Sequence, residues 1–280
     1  MGDLAIDTAV TGGEGTYSAF VNPDWEIWGP MGGYVAAIAL RAAAEEVSGA
    51  EVGSALVPAS FTCQFLSPAA FEEIEVAVQV RRASRRTAAV SVELAQGDRA
   101  VLSAQAWFAA EMALVEHDHA THHGRRSYET YPTIQELTDE ESAYRFWLNF
   151  DGRPTDWIDD WDGYAGGAPE WAEWLRFLPT SCFDDPVLEA CRLVLLADLP
   201  SFPAASRAHP ATSSGSWVSP SLDLAVQFHR LDRLGEWLLC LGLAPIAHRG
   251  LIAFRSEIWT ADDRLAASGS GQLLTRAVPG

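Results

Sequence analysis

The feature that most restricts what this chain can fold into is an internal echo. Pro220 to Arg230 alternates, with Leu222, Leu224, Val226 and Phe228 at one parity and Ser221, Asp223, Gln227 and His229 at the other. That is the period of a half-buried antiparallel strand, and it assigns Ser221 to the polar face beside Asp223. An earlier stretch, Ser60 to Phe65, repeats the pattern: Gln64-Phe65 matches Gln227-Phe228 at 227 − 64 = 163 residues. Glu73 meets Glu236 and Arg86 meets Arg249 at the same 163, and Asp98-Arg99 meets Asp263-Arg264 at 165, a slip that one longer hairpin loop absorbs. A unit of this length is far too long for a solenoid repeat, so the sequence predicts two copies of one small domain.

Both copies read alike. In the first, Met31-Gly32-Gly33 opens a helix whose Val35, Ile38, Ala39 and Ala42 follow helical spacing, and Ser48-Gly49 closes it. Strands follow after Pro58, then at Ile74 to Val80, Val90 to Leu94 and Ala100 to Phe108, with Gly97-Asp98 as a turn. In the second, Trp171 to Phe177 is a first strand and Asp184-Asp185-Pro186 reads as an N-cap followed by proline at the first helical position. Leu188, Cys191, Leu195 and Leu199 line that helix, and strands follow at 221–229, 236–243, 251–260 and 265–275. One helix and consecutive antiparallel strands without crossover helices predict an α+β fold in which a sheet curls over one central helix, the arrangement called a hotdog. The expected division is 1–110 for the first hotdog, 111–167 for an acidic, Trp- and His-rich linker, and 168–280 for the second.

The totals bound what such a chain can bind. A formal net charge of −19 gives no electrostatic footprint for nucleic acid or an anionic membrane, so an anionic ligand must find a local basic patch. Cys63, Cys182, Cys191 and Cys240 form no CxxC pair and sit in apolar runs, as reduced thiols of a cytoplasmic protein would. The opening Met-Gly-Asp-Leu-Ala-Ile has no signal-peptide pattern, and no apolar run reaches a membrane span. His117, Asp118, His119, His122 and His123 crowd together in the linker but form no closed ligand set, so a solvated connection is the better reading than a metal site, and no cofactor is expected. Trp157, Trp161 and Tyr164 are expected to pack the linker against a domain.

Few residues could do chemistry. An ionised Asp198 beside Leu195, Leu196 and Leu199 is costly unless paired, so it is either a site residue or a helix-end aspartate turned to solvent. No carboxylate interrupts Tyr34 to Ala44 in the first helix, so this feature belongs to one copy only. Gln272 in the last strand and Ser221 at the start of its strand are further candidates, each with ordinary surface as its alternative. His229 could be a general base or a structural hydrogen-bonding residue. A nucleophile elbow is missing, since Ser268-Gly269-Ser270-Gly271-Gln272 lacks the outer glycine, and Gly32-Gly33 is no phosphate loop. Gly32-Gly33 would let a ligand approach the backbone closely. Trp25, Trp28, Met31 and Tyr34 either line an acyl or aryl pocket or pack the core. Arg81, Arg82, Arg85 and Arg86 are the one dense basic cluster, suited to phosphates or to a solvated hairpin.

Gly32-Gly33-Tyr34-Val35, Phe65-Leu66-Ser67-Pro68, Ser84-Arg85-Arg86, Leu222-Asp223, Phe228-His229-Arg230 and Glu236-Trp237-Leu238-Leu239 together resemble the acyl-CoA thioesterase II family, over most of the chain apart from the linker. The resemblance implies a double hotdog that hydrolyses acyl-CoA to free acid and CoA, with a water held by an aspartate, a threonine and a glutamine. Carried over, the aspartate falls on Asp198 and the threonine on Ser221. The glutamine falls on Gly271, next to Gln272, so either a bulge brings Gln272 into the site or the third member is missing. Gly32, Gly33, Tyr34, Trp28, Arg85 and Arg86 are then the expected substrate contacts, and exposed sheet edges suggest a homo-oligomer. A hotdog enoyl-CoA hydratase, which would want a histidine with a carboxylate partner, and a non-catalytic acyl-CoA binding protein are the alternatives.

Overall fold

The computed structural model describes residues 1–49, 56–112, 114–121, 124, 126–138, 144–161, 163–209 and 217–277. A short helix α1 (Leu4–Asp7) and a hairpin of β1 (Thr11–Gly13) and β2 (Thr16–Phe20) precede helix α2 (Gly32–Gly49) and strands β3 (Val57–Phe65), β4 (Glu73–Ala83), β5 (Thr87–Gln96) and β6 (Arg99–Ala109). The connecting segment holds α3 (Ile134–Leu137) and β7 (Phe150–Pro154). The second copy contains β8 (Glu170–Phe177), α4 (Pro186–Asp198), α5 (Ser201–Arg207), β9 (Trp217–Val218), β10 (Ser221–Phe228), β11 (Trp237–His248), β12 (Leu251–Thr260), β13 (Leu265–Leu274) and β14 (Arg276–Ala277). This is a double hotdog.

The echo has a physical meaning. All strands but β9 and β14 join one antiparallel sheet in the order β1-β2-β4-β5-β6-β3-β10-β13-β12-β11-β8-β7, and the two echoing strands, β3 and β10, are neighbours at its centre. Thr62 faces Ala225 there, and 225 − 62 = 163, so equal positions of the two copies meet each other. That is the self-complementary pairing a two-fold axis requires. Inside the sheet the axis passes between the helices, where the Cys191 thiol donates to the Ala37 carbonyl at 3.5 Å across a separation of 154 residues.

The helices sit where their composition sends them. From Gly33 to Ala44 every residue of α2 except Arg41 is buried, and α4 is buried from Glu189 to Asp198. A helix apolar on nearly all sides belongs in the middle of a fold, and the alanines of α2 bring it close to α4. The N-terminus of α4 follows the sequence: the Asp185 side chain accepts from the Val187 N–H at 2.8 Å and proline occupies the first turn. All four cysteines are free thiols, and Cys182 is exposed where a packed thiol was expected. No helix among the described residues is long and apolar enough to cross a membrane.

The segment expected to be a solvated connection is only partly so. Phe146 and Phe150 are buried against Trp25 of the first copy, while β7 pairs with β8 and extends the sheet of the second. Tyr128 stacks on Trp237 at 4.9 Å, covering an apolar patch formed with Trp174, Leu239 and Trp259 on the sheet's outer face. Trp161 and Tyr164 do pack together, with Arg207 of α5 over the Tyr164 ring. Asp118 is paired with Arg230 at 2.8 Å. His122 and His123 lie outside the described residues, among which no group of three His, Cys, Asp or Glu side chains could hold a metal ion.

Candidate active site

The carboxylate of Asp198 is the centre of the site. It ends α4 with 6% of its surface exposed, and both oxygens are held: the Ser221 hydroxyl donates to Oδ1 at 2.6 Å and the Gly33 N–H donates to Oδ2 at 2.9 Å. The solvent-facing alternative for this aspartate is thereby removed. Burial pushes its carboxyl above the usual carboxylate range, and the hydrogen bonds from Ser221 and Gly33 pull it part of the way back. The three contributors come from the second helix, the second copy's first central strand and the first copy's helix, so the site exists only where the copies meet.

Gly33 has a packing reason to be glycine. A Cβ there would lie 2.8 Å from the Leu195 Cα and 3.1 Å from the Asp198 Cβ, so a side chain would wedge α2 away from α4 and break the bond to the carboxylate. At Gly32 a Cβ would fall 2.9 Å from Asp198 Oδ2. The pair therefore brings the N-terminus of α2, with its positive partial charge, against the acid.

Ser221 reaches Asp198 because the alternation breaks. Ser221 faces Leu273 and Asp223 faces Gln272, so Ser221 and Leu222 together oppose one residue of β13. This bulge turns Ser221 away from the polar face to which strict alternation assigned it and points the hydroxyl inward. Asp223 stays outside.

Gln272 does not join them. It is exposed, between inward-facing Gly271 and Leu273, and β12 and β13 pair without a shift from Leu251↔Leu274 to Ile258↔Ala267, so no bulge re-aims it. The inward position is Gly271, where a Cβ would meet the Asp223 carbonyl at 2.2 Å and the Phe254 ring at 2.8 Å. The aromatic ring occupies the space a third polar side chain would need.

The other expected contacts divide sharply. Tyr34 is fully buried and stacked on Trp25 at 5.2 Å, its hydroxyl donating to the Asp7 carbonyl and accepting from the Asn22 N–H, so it is a core residue. Trp25 and Met31 are buried as well, and only Trp28 remains 42% exposed. Arg85 and Arg86 are exposed in the β4–β5 turn, next to Thr87, which pairs with Ala109, which pairs with Val57. Ser221 lies beyond the other end of β3, past the Asp223↔Gln64 pair. One nine-residue strand, roughly 25 Å, therefore separates the arginines from the carboxylate. His229 lies at the far end of β10, its Nε2 bonded to the Ser268 hydroxyl at 2.8 Å, and takes no part. Burial, and after it the charge of Asp198, push the Cys63 thiol near the site well above its usual range, which favours the neutral thiol.

The matching place in the first copy is closed. Counted from the helix starts at Gly32 and Pro186, which differ by 186 − 32 = 154, Asp198 corresponds to Ala44 and Gly33 to Val187, whose N–H is already taken by Asp185. The sequence reading missed the bulge and the carboxylate's bond to Gly33. It also passed over Phe202 and Trp217, although each stands four residues from a site residue, after Asp198 and before Ser221.

The architecture and this acid–hydroxyl pair define a double-hotdog protein with one buried carboxylate site where its two halves meet. Residues 21–109 match the model of the acyl-CoA thioesterase N-terminal domain and residues 127–274 that of the acyl-CoA thioesterase C-terminal domain. The chain belongs to the acyl-CoA thioesterase family, and the enzyme is a thioesterase. Among solved structures, a hot dog protein of unknown function from Alicyclobacillus acidocaldarius is similar at a TM-score of 0.82 and 18% identity, with 100% of both chains covered. Acyl-CoA thioesterase II from Mycobacterium marinum is similar at a TM-score of 0.78 and 23% identity, over 99% of this chain and 100% of that one. A tesB protein from Mycobacterium avium subspecies paratuberculosis follows at 0.74 and 18%, over 99% and 98%. No curated protein matches the chain.

Proposed function

We propose that Asp198 and Ser221 form a two-residue device that activates water for hydrolysis of an acyl-CoA thioester. The observation that carries this reading is the Asp198 carboxylate, buried, pinned through both oxygens and placed where two helices and a strand converge. Ionised Asp198 takes a proton from water as the water oxygen attacks the thioester carbonyl carbon. The carbonyl oxygen gains charge, and the Gly32 N–H at the N-terminus of α2 is the donor assigned to it. Collapse of the tetrahedral intermediate breaks the C–S bond and releases CoA as a thiolate, so no strong general acid is needed; the acid product leaves with the water oxygen, and Asp198 gives its proton up to solvent and is ionised again. Ser221 holds the carboxylate in the orientation in which it takes the proton. Gln272 and Tyr34 have no role here, and Arg85 and Arg86 lie too far away to be assigned to the CoA phosphates of this site.

The test is release of free thiol from a panel of acyl-CoAs. Asp198→Asn should lose on the order of 10²–10⁴ in kcat/KM, the range for a general base, and full activity in that variant overturns the assignment. The outward placement of Gln272 favours one competing reading, a protein that binds acyl-CoA without turning it over. Tight binding with no thiol release from any member of the panel would establish that instead. A homo-oligomer could use the outer sheet face, where Trp107 is 45% exposed. Light scattering reads that directly.

A further inference from the structure

Three aromatic side chains lie within five residues of the proposed site residues along the chain, one from each segment that builds the site. Trp28 is five residues before Gly33, Phe202 four after Asp198 and Trp217 four before Ser221. They touch in series: the Trp28 ring meets Phe202 edge to face at 4.7 Å and 83°, and Phe202 meets Trp217 at 4.9 Å and 55°. All three have firm supports. Trp28 rides a loop closed by the Glu26↔Pro30 bridge and by the Ile27 N–H bonded to the Gly29 carbonyl at 3.0 Å. Phe202 lies on α5, which lies against β11 so closely that a Cβ on Gly242 would meet the Pro200 carbonyl at 2.6 Å. Trp217 is held by the pairing of β9 with β14.

Two further facts concern polarity. The indole N–H of Trp217 is buried and has no hydrogen-bond partner, and neither has the hydroxyl of Ser219, which is 3% exposed and lies between Trp217 and Ser221 in the chain. Buried donors are almost always satisfied in folded proteins, so these two, close in the chain to Ser221, are groups that a ligand acceptor would satisfy. Meanwhile Trp28 keeps 42% of its surface exposed, although the rest of its aromatic neighbourhood, Trp25 and Tyr34, is fully buried.

We propose that this aromatic wall selects the acyl group, and that the substrate class is the CoA thioester of an aryl acid whose ring bears a hydroxyl or another hydrogen-bond acceptor. This rests on the thioesterase reading of the same site. The ring packs against the exposed Trp28 face and Phe202, where aromatic geometry rewards a flat ring more than a flexible alkyl chain. The acceptor on the ring takes the orphan Trp217 N–H, with the Ser219 hydroxyl as a second partner. A saturated chain would fill the same space and leave both groups unpaired, and sites with such groups discriminate against analogues that cannot bond them.

The experiment compares 4-hydroxyphenylacetyl-CoA, phenylacetyl-CoA and octanoyl-CoA by thiol release. We expect kcat/KM to fall in that order, about tenfold at each step. Trp217→Phe keeps a ring but removes the donor, and should cut the ratio of the first substrate to the second about tenfold. An octanoyl-CoA rate equal to or above the aryl rates overturns the proposal, as does an unchanged ratio in Trp217→Phe. Failure of the hydrolase reading looks different, since then no substrate releases thiol. In that case Asp198→Asn protein is titrated with each thioester and tryptophan fluorescence is read. Quenching that is tighter for the hydroxyaryl than for the octanoyl thioester supports the aromatic wall, and equal affinity overturns it.

Discussion

Replacing Ser221 by alanine removes one hydrogen bond, and the structure says what should follow. The Ser221 hydroxyl donates at 2.6 Å to an oxygen of a carboxylate that is 6% exposed, leaving Gly33 as its remaining partner. A hydrogen bond to a charged group contributes about 1.5–3 kcal/mol, and it stabilises the ionised form alone. The sign follows directly. Burial already raises the Asp198 carboxyl, so the active ionised form appears only as pH climbs through that raised value, and the loss of Ser221 raises it further. At a pH below both titrations the ionised fraction, and with it kcat/KM, should drop by about tenfold to 150-fold. Above both titrations the deficit should shrink to whatever Ser221 contributes by touching the water. The assay is a pH profile of kcat/KM for Ser221→Ala, Ser221→Thr and the unmodified enzyme, with folding checked by circular dichroism. Threonine keeps the hydroxyl and should restore the profile. A limb that does not move in Ser221→Ala refutes Asp198 as the base.

Three other substitutions separate site from scaffold. Gln272→Ala should leave kcat/KM unchanged, because the side chain lies on the outer face; a large loss would mean that the strand register changes when substrate binds. Tyr34→Phe strips a partner from the Asp7 carbonyl and the Asn22 N–H, so chemical denaturation should show a loss of about 1–3 kcal/mol with kcat/KM intact. Glu173, 2% exposed, has one carboxyl oxygen without a partner and the other accepting from the Trp171 indole at 3.2 Å, and burial pushes it up to about 7. Its contribution is present at acid pH and lost as pH rises towards 7, so Glu173→Gln should abolish a decline on the order of 3 kcal/mol between about pH 4.5 and 7 in urea melts.

The scaffold was legible because it depends on patterns that survive without knowledge of contacts. Alternation located the strands, Asp185-Pro186 marked the helix start, and the spacing of Gln64-Phe65 and Gln227-Phe228 announced a duplication that proved to be two strands paired on an axis. Asp198 was legible for an energetic reason, since a carboxylate among leucines needs partners. The errors came from geometry that patterns do not encode. Ser221 required a bulge, which depends on two adjacent residues sharing one opposite neighbour. Gln272 failed by one residue, which in a strand is the whole distance between inside and outside. Tyr34 beside two glycines suggested a pocket, yet its hydroxyl is spent on backbone groups of distant segments. The arginines of the β4–β5 turn were placed by composition, whereas the register of three strands decides which end of the sheet they occupy.

Comparison of the two copies shows one frame used twice with different residues placed on it. The pairing of β3 with β6 breaks between Pro58 and Ser60, and that of β10 with β13 between Ser221 and Asp223. Since 221 − 58 and 223 − 60 are both 163, the bulge itself is duplicated, and so is the helix crossing. What differs is the residue placed on each device. The first copy offers Pro58 without a hydroxyl, Ala44 without a carboxylate, and an N–H at Val187 that Asp185 already holds; the second offers Ser221, Asp198 and the Gly33 N–H. A second site would therefore need all three places altered at once, and a carboxylate at position 44 alone would be buried without a donor, at a cost of several kcal/mol. The duplication supplies two equivalent frames, and among the described residues only the second carries the acid, the hydroxyl and the free N–H together, so the proposed site occurs once in them.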